Sequence, residues 1–191
     1  MKKLLIVVDM QNDFVNGILG TKEAQEIVPK IKKKIEEWEG DILFTLDTHY
    51  ENYLETSEGK NLPIKHCIKY TDGWDIVEPL MTAVLRKEER YEERGDFSFT
   101  FWTISKETFG SPELIQLLKQ KFISGKLIDK YESFELVGVC TDICVISNAI
   151  LLKSNFPEKE ICIDKNCCAG TTPEDHEAAI QVMKSCQIYS N

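Results

Sequence analysis

Apolar runs alternate with amphipathic segments along most of the chain. Residues 4–8 are apolar at consecutive positions and consist of Leu, Ile and Val, which is typical of a strand buried on both faces of a sheet. Residues 27–38 carry apolar side chains at helical spacing, and Pro29 suits the first turn of that helix. The same pattern predicts further strands at residues 42–46, 99–104, 134–139, 161–164 and 187–189. It predicts further helices at residues 74–85 and 142–153, and others that open at Ser111-Pro112 and Thr172-Pro173.

This alternation indicates an α/β fold in one domain, residues 1–191, with a mostly parallel, doubly wound sheet and helices on both of its faces. Residues 47–73 show no clear period and contain two glycines and a proline, which predicts a long functional loop. The charged run at residues 86–94 is interpreted as a solvated helix end or a loop. No internal repeat or low-complexity segment interrupts the pattern.

Composition and charge are those of an ordinary globular chain with an acidic surplus. Hydrophobic residues make up 42% of the 191 residues and charged residues 29%, and the net charge is −9 at pH 7. An acidic protein is repelled by nucleic acid and by anionic membrane surfaces, so neither is expected as a partner.

The seven cysteines form no framework of spaced pairs, and an odd number cannot pair completely within one chain. The first apolar run, residues 4–8, is shorter than the core of a signal peptide or a membrane span. We therefore expect a cytoplasmic protein with free thiols in a reducing compartment.

Polar side chains that can carry chemistry follow four of the predicted strands. Asp9 ends the first strand, the Asp-Thr-His segment at residues 47–49 follows the second, Lys106 follows the third, and residues 140–144 follow the fourth. In open α/β sheets, ligands bind outside the carboxyl ends of the strands. An acid, a cation and a thiol from separate strands are therefore expected to converge on one crevice.

These residue types are sufficient to cleave an amide through a thioester. A thiol attacks as the thiolate, which a cation or a helix N-terminus favours, and Cys144 lies in the first turn of a predicted helix with Lys106 as a candidate cation. Asp9 would accept the thiol proton and later pass it to the leaving group. Backbone N–H groups of Cys140 and Cys144 would stabilise the oxyanion.

The residues alone leave Cys140 and Cys144 open to three interpretations: a redox pair, two metal ligands, or one nucleophile beside one bystander. A spacing of four aligns side chains on a helix, but Cys140 precedes the predicted helix and directly follows a strand. Redox motifs more typically have two intervening residues. The remaining cysteines are expected to be small buried hydrophobes: Cys67, Cys162, Cys167, Cys168 and Cys186.

Three segments resemble the isochorismatase-like cysteine hydrolases, in that family's order and over nearly the whole chain. They are VVDMQNDF at residues 7–14, Lys106 with Phe109-Gly110-Ser111, and GVCTDICV at residues 138–145. The resemblance implies the isochorismatase-like hydrolase fold and a catalytic triad of Asp9, Lys106 and Cys144. It also implies a cis peptide just before Cys140, whose backbone helps to form the oxyanion hole while its side chain is a bystander.

The resemblance is nearest to the nicotinamidase branch of that superfamily, which implies hydrolysis of nicotinamide to nicotinate and ammonia in pyridine nucleotide salvage. One alternative is hydrolysis of another small amide, of carbamoyl, ureido or maleamate type. A true isochorismatase and a non-catalytic metal-binding member of the fold are the others. Family members are commonly dimers or tetramers, so a homo-oligomer is expected.

A divalent metal site is expected in the long loop. Asp47, His49 and His66 are side chains that suit zinc, iron or manganese, although their spacing alone is a weak signal. The resemblance implies a metal, with zinc as the first choice, that would bind the pyridine nitrogen. It also implies a fourth ligand, for which Glu58 is preferred over Glu55.

Two aromatic residues, Phe14 and Trp74, are candidate walls for a flat substrate ring. Packing in the core is the competing interpretation of both, and for Trp74 the two interpretations carry equal weight. His176 lies inside the last predicted helix and is interpreted as structural.

Overall fold

A computed structural model describes residues 1–122 and 125–191, and the strands of these residues form one large sheet and one two-stranded sheet. The strands are β1 (Lys2–Val8), β2 (Gly40–Asp47), β3 (Phe101–Lys106), β4 (Lys121–Phe122), β5 (Gly125–Lys126), β6 (Tyr131–Val139), β7 (Glu160–Ala169) and β8 (Tyr189–Ser190). Six of them form a parallel sheet in the order β3-β2-β1-β6-β7-β8. The predicted parallel, doubly wound α/β fold is confirmed.

Helices cover both faces of this sheet. They are α1 (Asn12–Val15), α2 (Lys22–Glu37), α3 (Ser57–Asn61), α4 (Glu78–Glu93), α5 (Pro112–Lys119), α6 (Ile146–Asn155) and α7 (Pro173–Ser185). The core on one face includes side chains of α2 and α4, and the core on the other includes side chains of α5, α6 and α7. Strand β1 contributes to both, with Leu4, Ile6 and Val8 on one side and Leu5 and Val7 on the other. This double burial explains why β1 is apolar at every core position.

The charged run at residues 86–94 is part of a helix. Helix α4 begins at Glu78, later than the predicted start at Trp74, and continues through the charged run to Glu93. Glu, Lys and Arg are good helix formers, so loss of the apolar period does not end the helix. Trp74 instead closes a short 3₁₀ turn, Asp72–Trp74.

The predicted long loop contains short helical pieces that its sequence pattern did not indicate. A 3₁₀ turn at Tyr53–Glu55 leads into α3, where Thr56 Oγ1 accepts a hydrogen bond of 3.0 Å from the N–H of Gly59. Elements this short cannot produce a readable period. Helix α3 carries Glu58 and so places one of the candidate metal ligands.

The bounds of all six strands in the large sheet differ from the prediction, and the differences in β3 and β7 bear on the site. Strand β3 lies at Phe101–Lys106, so Lys106 is its last residue. Strand β7 runs past the predicted segment at 161–164 to Ala169, after an irregularity in its register with β6. Among the described residues no helix has the length and apolarity needed to cross a membrane.

Candidate active site and metal centre

The carboxyl ends of four strands bring together the side chains selected from the sequence. Asp9 directly follows β1, Asp47 ends β2 and Lys106 ends β3, where Asp47 and Lys106 are register partners. Cys144 lies after β6, in a π-helical turn formed by Thr141–Val145. All four side chains are buried. The predicted convergence on one crevice is therefore present in the structure.

Lys106 is the centre of this arrangement. Its Nζ lies 2.7 Å from Asp9 Oδ2, 3.0 Å from Asp47 Oδ1 and 3.6 Å from Cys144 Sγ. One buried ammonium thus contacts two carboxylates and the thiol. Burial alone would lower the pKa of Lys106, but the charges of Asp9, Cys144 and Asp47 outweigh it and raise that pKa well above the usual value. Lys106 is therefore cationic.

Asp9 and Cys144 both hold protons more tightly than usual. Burial raises the pKa of Asp9, and the charge of Lys106 offsets this only in part. Burial also raises the pKa of Cys144 well above its usual value, and the neighbouring charge of Asp9 adds to the effect, against the opposing charge of Lys106. The thiol is therefore protonated at rest, and it faces the Asp9 carboxyl group, which is the neighbouring side chain that can exchange a proton with it.

The turn that carries Cys144 begins at a cis peptide bond between Val139 and Cys140. The carbonyl of Cys140 accepts hydrogen bonds from the N–H groups of Ile143 at 3.1 Å and Val145 at 3.0 Å. Burial raises the pKa of the Cys140 thiol to about 12. The Cys140 side chain is thus a neutral thiol at physiological pH.

Four side chains that can bind metal meet beside this group. Ligand atoms of Asp47, His49, Glu58 and His66 all lie within 4.8 Å of one another. His49 Nε2 is 2.9 Å from Asp47 Oδ2 and 3.6 Å from Glu58 Oε1. His66 Nε2 is 3.5 Å from Asp47 Oδ2 and 3.8 Å from Glu58 Oε1. Glu55 is not part of the cluster formed by the described residues, so Glu58 is the glutamate that the fold places there.

The chemistry of this cluster fits a divalent metal ion. His49 Nε2 is buried and lacks a hydrogen bond among the described residues, because Asp47 Oδ2, although close, lies outside the direction of a ring N–H. His66 Nδ1 lies 2.8 Å from the carbonyl oxygen of Ile64, which can only accept, so in the neutral ring Nδ1 carries the proton and Nε2 has the lone pair that a metal would use. Two imidazole nitrogens and two carboxylates suit zinc, iron or manganese.

Asp47 is ionised in this setting. Burial alone would raise the pKa of Asp47, but the neighbouring imidazoles of His49 and His66 and the charge of Lys106 outweigh it and hold the pKa far below the usual value. A carboxylate that stays ionised in a buried site is a good ligand for a cation.

Two buried residues that the sequence pattern did not single out support the cluster. Gln11 Oε1 accepts the Asp47 N–H at 2.7 Å, and Gln11 Nε2 donates to the Asp47 carbonyl at 2.9 Å. The Tyr53 ring lies 4.6 Å from the His49 ring and 5.0 Å from the His66 ring, measured between centroids. The position of the polar Gln11, shortly after the end of β1, was the available signal, and Tyr53 offered none.

Cys144 and part of the metal-binding cluster line one cavity, which has a volume of about 330 Å³. Asp9 and Lys106 are buried and are not among its described lining residues. Its lining residues include Cys144, Asp47, Glu58, His66 and the ring of Phe14. Phe14, which was a candidate wall for the substrate ring, therefore lines this cavity.

Trp74 lies elsewhere, and it is not among the described residues that line this cavity. Its Nε1 donates to Thr48 Oγ1 at 2.8 Å, and its carbonyl accepts from Gln11 Nε2 at 2.8 Å. His176 also makes a local contact, with Nδ1 2.8 Å from Thr141 Oγ1.

The fold and the site together are those of a hydrolase of the parallel, doubly wound α/β type. The chain matches the isochorismatase domain over residues 3–189 and belongs to the isochorismatase family.

Three similar proteins show the extent of the likeness. The nicotinamidase of Saccharomyces cerevisiae is 27% identical over an alignment of 180 positions that covers 78% of this chain and 80% of that protein. The crystal structure of the pyrazinamidase of Pyrococcus horikoshii in complex with zinc is 25% identical, has a TM-score of 0.76, and is matched over 100% of this chain and 99% of that chain. The N-carbamoylsarcosine amidase from Thermoplasma acidophilum shares the fold at 20% identity, with a TM-score of 0.72 and coverage of 100% of this chain and 96% of that chain.

Proposed function

We propose that this protein is an amidohydrolase that converts nicotinamide to nicotinate and ammonia through a cysteine thioester. One observation carries the proposal. Cys144, which contacts Lys106 of the triad, lines the same cavity as Asp47, Glu58 and His66 of the metal-binding cluster. A heteroaromatic amide is the kind of small substrate that would use both, because its carboxamide needs a nucleophile and its ring nitrogen is a metal ligand.

The reaction follows from the contacts of the triad. Asp9 takes the proton of Cys144, and the thiolate attacks the carboxamide carbon while Lys106 stabilises the charges around it. Backbone N–H groups of Cys140 and Cys144 hold the oxyanion. Asp9 then protonates the amide nitrogen, the C–N bond breaks, and ammonia departs to leave a thioester on Cys144. Asp9 finally activates water, which hydrolyses the thioester, releases nicotinate and restores the thiol.

Asp47, His49, Glu58 and His66 would hold a divalent metal, with zinc as the first choice. Bound there, the ion would supply a Lewis acid for the pyridine nitrogen and so orient the ring. The pyrazinamidase of Pyrococcus horikoshii was crystallised in complex with zinc, which supports this choice. The protein side chains named above carry every proton transfer.

The charge of the cavity supports a neutral substrate over an anionic one. Its described lining includes the acids Asp47 and Glu58 but no lysine or arginine. Lys106, the nearby cation, is already paired with Asp9 and Asp47. A carboxylate-bearing amide, such as a maleamate, would enter without a free cationic partner and would be disfavoured.

Free thiols support the proposed setting of the reaction. All seven cysteines in the sequence lie in the described part of the chain, and each is a free thiol there. We propose a reducing, cytoplasmic compartment on this basis. A homo-oligomer remains a prediction from the family resemblance, and sedimentation of the purified protein would test it.

Ammonia release from the purified protein tests the proposal, with metal content measured on the same sample before and after chelation. Nicotinamide should be hydrolysed fast, chelation should abolish the activity, and Cys144→Ala should be inactive with its metal retained. Benzamide, which lacks the ring nitrogen, should be a much poorer substrate, as should the anion maleamate. Hydrolysis of maleamate in preference to nicotinamide would replace the proposed substrate. If nicotinamide is not hydrolysed but Cys144 is still alkylated, nicotinamide is rejected as the substrate, while the cysteine hydrolase chemistry is retained.

A further inference from the structure

Thr45 places a hydroxyl in the middle of an apolar strand. Its neighbours in β2, Phe44 and Leu46, belong to the hydrophobic core, and Thr45 itself is fully buried. A buried hydroxyl costs free energy unless it is hydrogen-bonded, and valine would fill the same space without that cost. The presence of threonine here therefore implies that its hydroxyl makes a hydrogen bond, which valine could not make.

That partner is Asp9. Thr45 Oγ1 donates to Asp9 Oδ1 at 2.6 Å, and the Asp9 N–H lies 3.1 Å from the Thr45 carbonyl oxygen and 3.3 Å from Thr45 Oγ1. Strand register makes these contacts possible, since Val8 pairs with Thr45 and Asp9 is the next residue. Asp9 has a φ of +51°, in the left-handed region, so the chain turns away from the strand direction at this residue. Thr45 contacts both the backbone N–H and the carboxylate of Asp9 at this turn.

The two oxygens of Asp9 therefore have different surroundings. Oδ1 accepts the hydrogen bond from Thr45. Oδ2 lies 2.7 Å from Lys106 Nζ, and no hydrogen bond of good geometry to Oδ2 is found among the described residues. Oδ2 is thus the oxygen with a lone pair free to accept the Cys144 proton.

We propose that Thr45 is a positioning residue that holds Asp9 so that Oδ2 faces both Lys106 and the thiol. The proposal rests on the amidohydrolase function, because it assigns Asp9 the proton transfer. Without the hydroxyl, Oδ1 loses its partner and the carboxylate is free to turn and place both oxygens on the Lys106 ammonium. The ion pair would survive, but the proton acceptor would be misplaced.

Thr45→Val and Thr45→Ser form a matched pair of variants, since Val keeps the shape and Ser keeps the hydroxyl. For Thr45→Val we expect kcat to fall about 10- to 100-fold, because small misplacement of a catalytic group has effects of this order. KM and metal content should stay within about twofold, because substrate and metal contacts are intact. Thr45→Ser should recover most of kcat. Unchanged kcat in Thr45→Val, or a loss that Thr45→Ser shares in full, would overturn the proposal.

A double-mutant cycle separates positioning from a general structural effect. In an Asp9→Asn background, Thr45→Val should cause little further loss of kcat, because the group it positions is gone. A full additional loss in that background would overturn the proposal.

The rate of Cys144 alkylation by iodoacetamide at pH 7 gives a readout that does not need the substrate. Thr45→Val should slow alkylation at least about fivefold relative to the unmodified protein, because the proton acceptor is displaced, and Thr45→Ser should not. Equal alkylation rates in the unmodified protein, Thr45→Val and Thr45→Ser would reject the positioning role. If no amide is hydrolysed while these rates differ as expected, the proposed substrate fails and the positioning role of Thr45 stands.

Discussion

Asp47 Oδ1 lies 3.0 Å from Lys106 Nζ, while the second oxygen of the same carboxylate faces the imidazoles of His49 and His66. A single side chain therefore belongs both to the lysine-centred group and to the candidate metal cluster. The two residues are register partners at the ends of neighbouring strands, so the sheet itself enforces the contact.

This shared carboxylate distinguishes Asp47 from the other candidate ligands. Asp47→Asn and His66→Ala should each weaken metal binding at least about tenfold. Excess metal should restore kcat in His66→Ala but leave it at least about tenfold lower in Asp47→Asn, because Lys106 has also lost an anionic partner. Metal titration monitored by calorimetry, with kcat at saturating metal, checks this. Equal recovery of the two variants would show that Asp47 acts on the metal side alone.

Cys144 and Cys140 should differ sharply in their effect on activity. Cys144→Ala should lower kcat by at least about 10³-fold because the nucleophile is lost. Cys140→Ala should stay within about threefold, because only the backbone of Cys140 has a proposed role and alanine retains it. Rates of ammonia release, with circular dichroism as the folding control, measure both effects. An equal loss in the two variants would reject the single-nucleophile mechanism.

Gly138 lies where β6 approaches β1 just before the turn that carries Cys144. It has a φ of +117°, and a Cβ there would lie 2.1 Å from the carbonyl oxygen of Val8. Gly138→Ala should therefore cost at least about 3 kcal/mol of stability and displace the end of β1 that leads to Asp9.

Gly95 provides the matched control, because its φ is +67° but a Cβ there would have no neighbour within 4 Å. Gly95→Ala should cost only about 1 kcal/mol, the conformational term alone. Urea denaturation of both variants separates the steric contribution at Gly138 from the backbone contribution. Similar losses of unfolding free energy in the two variants would mean that β1 shifts to accommodate the new Cβ at position 138 without further loss of stability.

Asp164 should contribute stability that depends on pH. Burial alone would raise the pKa of Asp164, but the hydrogen bond and charge of Lys34, whose Nζ is 2.7 Å away, outweigh it and hold that pKa below 3.8. A carboxyl with a lower pKa in the folded state stabilises the fold above its unfolded pKa, and this contribution is lost as pH falls through the folded value.

Asp164→Asn should therefore lower the free energy of unfolding by about 1 kcal/mol at pH 7. The difference from the unmodified protein should shrink steadily as pH falls below about 4. Urea denaturation across this pH range, with the exposed Glu158→Gln as control, provides the measurement. A difference that stays constant down to the acid limit would mean that packing, and not the ion pair, accounts for the effect.

The central strands were predictable because a strand that is buried on both faces is apolar at consecutive positions. Residues 4–8 and 42–46 are apolar at nearly every position, and both lie in strands of the central sheet. The motifs also indicated Asp9, Lys106 and Cys144 as candidates, because residues at the carboxyl ends of parallel strands share one edge. What they could not indicate was Thr45, whose hydroxyl is unremarkable until Asp9 is placed beside it.

The order along the chain of the main strands and helices, and the candidate residues at their ends, were determined by the sequence alone, because apolar periodicity is a local property. Only the tertiary structure decided that Asp47 bridges Lys106 and the metal cluster and that Glu58, and not Glu55, joins that cluster. Asp47 and Lys106 are 59 residues apart along the chain. Their contact depends on strand register and on helices packing across the sheet, and no local pattern of residues encodes a distance between segments so far apart.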